Sequence, residues 1–487
     1  MNVDWISHLP DPVRVATYFG LQRAIGSHIH ARWRDLQAWT KFSPPQLEEA
    51  IEARLGQLLE VATQQSAHYR QLGLIRKPGE TAREFLKRFP ILGRDTVRKD
   101  FASLVIDSLR PEIQSPTSVS GRRYDWSIVK TGGTTGVPTA VVHDALFRDS
   151  GRATRLFSQQ LCGFPLGTRY FRLWGSEQDL LQQQEKLDRR VLRHLLGEIP
   201  MNAFRAKESE LAQHLKTMAN HPEVQHMMAY VDAAASLASF IEDRALPRPK
   251  LKTIMACAGT VTPEWRKILE RVFQAEVFDK YGSRECADIA CECARHFGLH
   301  VYSPNVFVEV LDEHGGDCAP GQTGSLVVTL LNNPTFPMIR YQIGDLGTWT
   351  EQARCPCGLP FPRLRSVEGR EDDMLMTTDG TLLSSGFIRH FAGVSLNRQL
   401  IREWQFEQIA IGQFMFRYVP LKREGLDENL DLLRAAFRKA LGASATIEMC
   451  EVIQIPPSST GKVRWVVNRL KEKKRSDQAP LSRRDIR

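Results

Sequence analysis

Four threonines and three glycines crowd the nine residues 131–139, Thr-Gly-Gly-Thr-Thr-Gly-Val-Pro-Thr. Glycine lets backbone N–H groups approach phosphate oxygens closely and the hydroxyls add donors, so the stretch has the composition of a polyphosphate cradle. Taken alone it reads equally as a plain turn, since Ile128 and Val129 before it and Ala140, Val141 and Val142 after it have the character of two buried strands. A partner group lies far downstream, where Pro457-Ser458-Ser459-Thr460-Gly461-Lys462 makes a second small polar turn ending in an ammonium. Neither segment fits Gly-x-x-x-x-Gly-Lys-Ser/Thr, because Gly136 is followed by Val137 and Lys462 by Val463. The pattern therefore argues against a P-loop nucleotide hydrolase.

A second set of reactive side chains gathers at Cys286, Cys291, Cys293, His296 and His300, then at Cys355 and Cys357. Thiolates with an imidazole suit zinc, and a closed four-ligand site is structural rather than catalytic. Cys355-x-Cys357 is tighter than the usual Cys-x-x-Cys spacing, and reduced thiols that merely pack give the same pattern.

The elements that must position these groups follow from length and periodicity. At 487 residues, 42% hydrophobic and 25% charged, the chain is globular and too long for one core. Residues 10–110 read as mainly helical. From about residue 125, β-type runs (252–256, 276–278, 306–311 and 325–330) alternate with helical stretches (233–242 and 263–273), an α/β pattern. A charged, glycine-containing stretch at 369–373 marks a domain boundary, and beyond it an amphipathic helix at 430–441 precedes a strand-like run at 446–455. No run approaches the roughly eighteen apolar residues of a membrane helix, and the N-terminus lacks a basic segment followed by an apolar one. The expectation is a cytoplasmic protein, and nine cysteines fit reduced thiols or a metal better than a disulfide framework. The net charge of +9 owes much to the tail, which carries Lys471, Lys473, Lys474, Arg475, Arg483 and Arg484. That tail suits a solvated end or an anionic surface, and it lacks the interleaved aromatics of a nucleic-acid binder.

The segments 131–139 and 459–462 resemble the phosphate loop and the catalytic-lysine motif of the adenylate-forming superfamily of acyl-CoA synthetases and adenylation domains. Between them, in the superfamily's order, stand Tyr281-Gly282-Ser283-Arg284-Glu285, Arg340-Tyr341-Gln342-Ile343-Gly344-Asp345-Leu346 and Gly369-Arg370-Glu371-Asp372-Asp373. These resemble Tyr-Gly-x-Thr-Glu, Arg-Tyr-x-x-Gly-Asp-Leu and the hinge motif Gly-Arg-x-Asp-Asp. Phe89-Pro90-Ile91-Leu92-Gly93-Arg94-Asp95 and Cys355-Pro356-Cys357-Gly358 are similar to segments of phenylacetate-CoA ligase-like proteins. The C-terminal portion around Trp404-Gln405-Phe406 is similar to CapK-like members of capsular-polysaccharide biosynthesis.

The resemblance implies an α/β fold: a large N-terminal adenylate-forming domain (1–369) with β-sheets flanked by helices, entered through the helical region 1–110. A small, mobile α+β C-terminal domain (370–487) would carry the catalytic lysine and the basic tail. It implies ATP-dependent activation of a carboxylic acid as acyl-AMP with pyrophosphate release, then acyl transfer to CoA, a carrier-protein thiol or an amine. Thr131, Gly132, Gly133, Thr134, Thr135 and Gly136 would hold phosphates, with Tyr281, Gly282, Ser283 and Arg284 completing the nucleotide site. Lys462 would bridge the carboxylate and α-phosphate, Glu285 would bind Mg²⁺, Asp345 and Arg370 would meet the ribose, and Asp372, beside Asp373, would be the hinge. Tyr230, Ala256, Cys257, Ala258 and Gly259 would line the acyl pocket. A structural Zn²⁺ would take Cys293, His300, Cys355 and Cys357, with Cys291 and His296 as substitutes. Two departures stand out: Arg284 replaces a threonine, and neither Val137 nor Thr139 is the lysine many relatives have in the phosphate loop. They motivate the alternative of a zinc-stabilised nucleotide- or acyl-binding protein that has lost turnover.

Overall fold

The structure, a computed structural model, describes residues 4–118, 126–130, 139–174, 187–202, 208–352, 354–370, 375–378, 382–383, 400–455 and 465–470. It divides into two units, the larger holding most of the chain up to Val367 and the smaller running from Glu368 and counting also Gly344–Leu346. Among the described residues no helix is long and apolar enough to cross a membrane.

In the larger unit the first hundred residues are helical, the longest helix being Pro44–Gln65, opened by proline after a Ser43 capping box. The strands are β1 (Trp126–Lys130), β2 (Ala140–Asp144), β3 (Tyr170–Trp174), β4 (Glu198–Asn202), β5 (His226–Tyr230), β6 (Thr253–Cys257), β7 (Glu276–Ser283), β8 (Ala287–Glu292), β9 (Leu299–Val301), β10 (Val306–Leu311), β11 (Thr323–Leu330), β12 (Tyr341–Trp349) and β13 (Arg363–Arg370). β1 and β2 form an antiparallel pair in which Lys130 faces Ala140. The others make one eleven-stranded sheet in the order β10-β11-β12-β13-β9-β8-β7-β6-β5-β3-β4. β4, β3, β5, β6 and β7 are parallel, and β8 and β9 continue antiparallel.

Parallel strands are covered on both faces, and these read accordingly as nearly unbroken apolar runs. On one face Phe171, Met227, Ala229, Ile254, Ala256 and Val277 pack with the helices Val231–Asp243 and Pro263–Phe273. On the other, Tyr170, Met228, Met255, Cys257 and Phe278 pack with Ala153, Leu156 and Phe157 of the helix Ala145–Leu161. Asp144 caps that helix by accepting from the Phe147 N–H at 2.7 Å, and Thr262 caps Pro263–Phe273 in the same way from Trp265. A third core joins the entry helices to β1, β2 and the sheet from β8 onward.

The smaller unit has its own core of Phe406, Phe414, Phe416, Leu433, Phe437 and Ile447. After the short pair β14 (Leu375–Met376) and β15 (Leu382–Leu383) come β16 (Ile401–Ala410), β17 (Gln413–Pro420), β18 (Thr446–Glu451) and β19 (Val466–Asn468). They form a sheet ordered β18-β17-β16-β19, and the helix Leu426–Leu441 links β17 to β18. The expected α/β architecture, with a large helix-flanked sheet and a small α+β C-terminal part, is what the chain adopts.

Candidate active site

β7 leaves the parallel sheet and turns back into β8 through residues 283–287, the second half of the Tyr281–Glu285 motif. A side chain at Gly282 would run into the Ala287 carbonyl, so this closely packed step requires glycine. Ser283 Oγ accepts from the Cys286 N–H at 3.0 Å, and Ala287 takes a left-handed backbone (φ 57°) to complete the turn. The turn separates two neighbouring charges. Arg284 stays exposed and donates to the Lys130 carbonyl at 3.2 Å, at the end of β1 where the loop 131–139 departs. Glu285 is buried, and the Tyr341 hydroxyl donates to its carboxylate at 3.4 Å.

His143 on β2 packs against the same turn. Its ring stacks on Phe147 at 4.1 Å and hydrogen-bonds the Glu285 backbone. Burial lowers its pKa to about 4, so the ring is neutral near pH 7. Its buried Nε2 has no hydrogen-bond partner. Neither His143 nor the role of Tyr341 was evident in sequence: a histidine between strand residues carries no motif, and Tyr341 reads only as part of Arg340–Leu346. Arg340 itself is structural, pairing with buried Glu309 at 3.1 Å and donating to the Phe89 carbonyl at 3.0 Å. The Leu92 N–H donates to the Arg340 carbonyl, which ties the segment 89–95 to this motif.

Asp345 follows the left-handed Gly344 on β12 and is half-buried. Thr131, Gly132, Gly133, Thr134, Thr135, Gly136, Asp372, Asp373 and Lys462 lie outside the described residues, as does the side chain of Arg370.

The residues expected around an acyl group end the parallel strands, where open α/β sheets bind ligands. Tyr230, Cys257 and Lys280 are neighbours in register across β5, β6 and β7. Tyr230 is half-buried against Trp174, with ring centroids 4.3 Å apart. Cys257 is buried and donates to the Ala229 carbonyl, and burial pushes its thiol up to about 12, so it is no nucleophile. Ala256 faces the opposite side of the sheet, fully buried under helices. Ala258 holds a left-handed backbone (φ 61°) and Gly259 follows, a sharp exposed turn at the strand end.

Cys293, His300, Cys355 and Cys357 come together, with one potential ligand atom from each lying within 4.8 Å of every other. They arrive from the turn after β8, from β9, and from the turn before β13. Cys293 and Cys355 Sγ are 3.7 Å apart, and Cys357 Sγ lies 3.3 Å from His300 Nε2. Zn–S bonds near 2.3 Å at tetrahedral angles put sulfurs about 3.8 Å apart, so the residues fit zinc. Burial lowers His300 to about 4, leaving a neutral imidazole with a lone pair to give. The two substitutes lie elsewhere. Cys291 is buried 3.6 Å from Cys162, and His296 bonds to Glu276 and Glu292 at 2.9 and 3.2 Å.

No family model matches the chain. It is similar to phenylacetate-coenzyme A ligase of Thermus thermophilus, 31% identical over 149 residues that make up 29% of this chain and 33% of that protein. It is also similar to protein CapK of Staphylococcus aureus, 20% identical over 387 residues, 79% of this chain and 81% of the relative. Among solved structures it resembles a 2-hydroxyisobutyryl-CoA ligase in the postadenylation state, with a TM-score of 0.66 and 18% identity over 90% of this chain and 94% of that one. The fold is thus that of an adenylate-forming ligase, and the resemblance to the phenylacetate-CoA ligase-like and CapK-like branch stands. The matched segment spans only a third of the Thermus ligase.

Proposed function

We propose that this protein is an AMP-forming carboxylate ligase, which activates a carboxylic acid with ATP and passes the acyl group to CoA or to another thiol or amine. The observation that carries the reading is the turn 283–287. It holds a buried carboxylate, Glu285, behind an exposed guanidinium, Arg284, bonded to the residue from which the Gly/Thr loop departs. Superfamily motifs before and after that turn stand in the matching order.

In the first half-reaction a substrate carboxylate oxygen bonds to the α-phosphorus and the bond to pyrophosphate breaks. An anion thus attacks a polyanion, and the chain must supply oriented donors and positive charge where negative charge builds. The N–H groups and hydroxyls of 131–139 serve the β- and γ-phosphates. Lys462 serves the carboxylate and α-phosphate, and Arg284 adds charge where relatives have a hydroxyl. Glu285 would hold Mg²⁺, which would supply charge neutralisation at the phosphates; Tyr341 and His143 hold that carboxylate and its backbone in place. Asp345 and Arg370 meet the ribose. In the second half-reaction the acceptor sulfur or nitrogen bonds to the acyl carbon, and AMP leaves with the bonding pair. Domain 370–487, turning about Asp372, presents Lys462 for the first step and another face for the second. Zinc held by Cys293, His300, Cys355 and Cys357 is structural, fastening the turn after Glu285 to the turn before β13.

Pyrophosphate release from ATP and Mg²⁺ across a panel of aryl, fatty and hydroxy acids tests this reading. Release dependent on one acid, and lowered at least about 100-fold by Lys462→Ala, is the expected result. No release with any acid overturns it.

A further inference from the structure

Lys462, the lysine assigned to the first half-reaction, belongs to the stretch 456–464, and the described residues on either side of that stretch both attach to one strand, β16. On the near side the buried Ile455 donates its N–H to the Glu403 carboxylate at 3.4 Å. On the far side the Trp465 carbonyl accepts from the Phe406 N–H at 2.8 Å, and β19 then runs parallel to β16 with Phe406 opposite Val466. Glu403 and Phe406 are three residues apart on the strand, so the two attachment points are about 10 Å from one another. The ten residue steps from Ile455 to Trp465 could reach about 33 Å if extended. β16 therefore draws the two sides of the lysine-bearing stretch together.

The attachment after the lysine is the more heavily built. The Trp465 ring packs on Trp404 with centroids 5.2 Å apart, and Trp404 in turn stacks on Phe416 at 5.8 Å, a fully buried residue in the core of the smaller unit. On the opposite face of β16, Glu407, 3% exposed, pairs with Arg417 of β17 at 2.9 Å and with Arg469 just past β19. Backbone, aromatic and ionic contacts thus all fix the start of β19. Lys462 stands three residues before Trp465, within about 11 Å of it even along an extended chain. A shift of Trp465 is passed to the lysine with little chain to absorb it.

We infer that Trp404 is a positioning residue for Lys462, acting through Trp465. The inference rests on the ligase reading above and adds to it a residue that none of the nucleotide-site motifs contains. Attack of a carboxylate on the α-phosphorus needs the ammonium in register with both groups, and a displacement of about 1 Å costs such a reaction on the order of 100-fold.

The test compares the full-length protein with Trp404→Leu and with Trp404→Phe, which retains a ring. Pyrophosphate release with the acid that supports it gives kcat and the KM for ATP. Reductive methylation with formaldehyde, read by mass spectrometry of each lysine peptide, reports on Lys462 without any turnover. In Trp404→Leu the expected kcat is lowered about 10- to 100-fold, with KM for ATP within about twofold. The methylation rate of Lys462 should change at least about threefold while the exposed Lys422 and Lys439 of the same unit keep theirs, and Trp404→Phe should restore most of kcat. Where Trp404→Leu does not fold, Glu407→Gln, which loosens β19 and keeps both rings, should give the same split. An unchanged kcat, a matching rise in KM for ATP, or Lys462 methylated at the parent rate overturns the inference. If the parent protein releases no pyrophosphate, the ligase reading fails and methylation alone decides the positioning: a change confined to Lys462 supports it, and no change, or one shared by Lys422 and Lys439, overturns it.

Discussion

Glu285 illustrates how a single carboxylate is prepared by residues that sequence does not connect to it. Tyr341 donates to it from 56 residues away in the sequence. Tyr341→Phe should raise the Mg²⁺ concentration needed for half-maximal pyrophosphate release by roughly threefold to tenfold, the scale of one lost hydrogen bond, with a smaller change at saturating Mg²⁺. Titrating Mg²⁺ at fixed ATP measures this. His226 offers a residue-scale prediction about stability. It is buried beside Phe164, its Nδ1 lies 2.7 Å from Thr253 Oγ1, and burial lowers its pKa from 6.5 to about 4. A depressed histidine pKa means that the unfolded chain takes up the proton first. Stability is therefore lost as pH falls from about 6.5 toward 4, by about 2 kcal/mol at pH 5. Denaturant unfolding at pH 7 and pH 5 should show a smaller drop in His226→Gln than in the parent.

At the scale of elements, the turns that carry the proposed zinc ligands make the clearest prediction. Purified protein should hold one zinc per chain, and Cys355→Ser with Cys357→Ser should lose the metal and about 5 °C or more of Tm, because a structural site contributes folding energy directly. Metal analysis and thermal unfolding read the two effects. Gly442 is a second such point. It ends the helix Leu426–Leu441 at φ 113°, and an added Cβ would run into Thr378. Gly442→Ala should unfold the smaller unit, removing pyrophosphate release while zinc stays bound. Much of this level was legible in sequence. The helix at 263–273 and the strand at 306–311 coincide with the observed elements, and the helix at 430–441 is four residues longer at its start. The run 276–278 read too short, because β7 continues through Lys280, a charged residue inside a strand, to the glycine-containing turn. The ion pair of Lys280 with Asp288 was invisible. Periodicity reports which side of an element is apolar and says nothing of which buried charges meet.

For the whole molecule, the apolar cores respect the division of the chain. Among the described residues, three lie entirely before residue 368 and the fourth entirely after 374. Residues 1–369 expressed alone should therefore fold cooperatively and bind zinc, and should release no pyrophosphate for want of Lys462; circular dichroism, metal content and the assay check the three parts. The order of the eleven-stranded sheet was not legible, since β9 lies between β8 and β13 and a long excursion through β10, β11 and β12 intervenes. The four proposed zinc ligands span that excursion: Cys293 and Cys355 are 62 residues apart, and their cluster forms only once β13 has returned to β9. Closing a loop of that length is entropically uphill, and an ion captured at its neck makes the closure persist. With zinc bound as proposed, metal supply would act as a checkpoint in biogenesis: scarcity would lower the number of finished molecules and leave the turnover of each one unchanged.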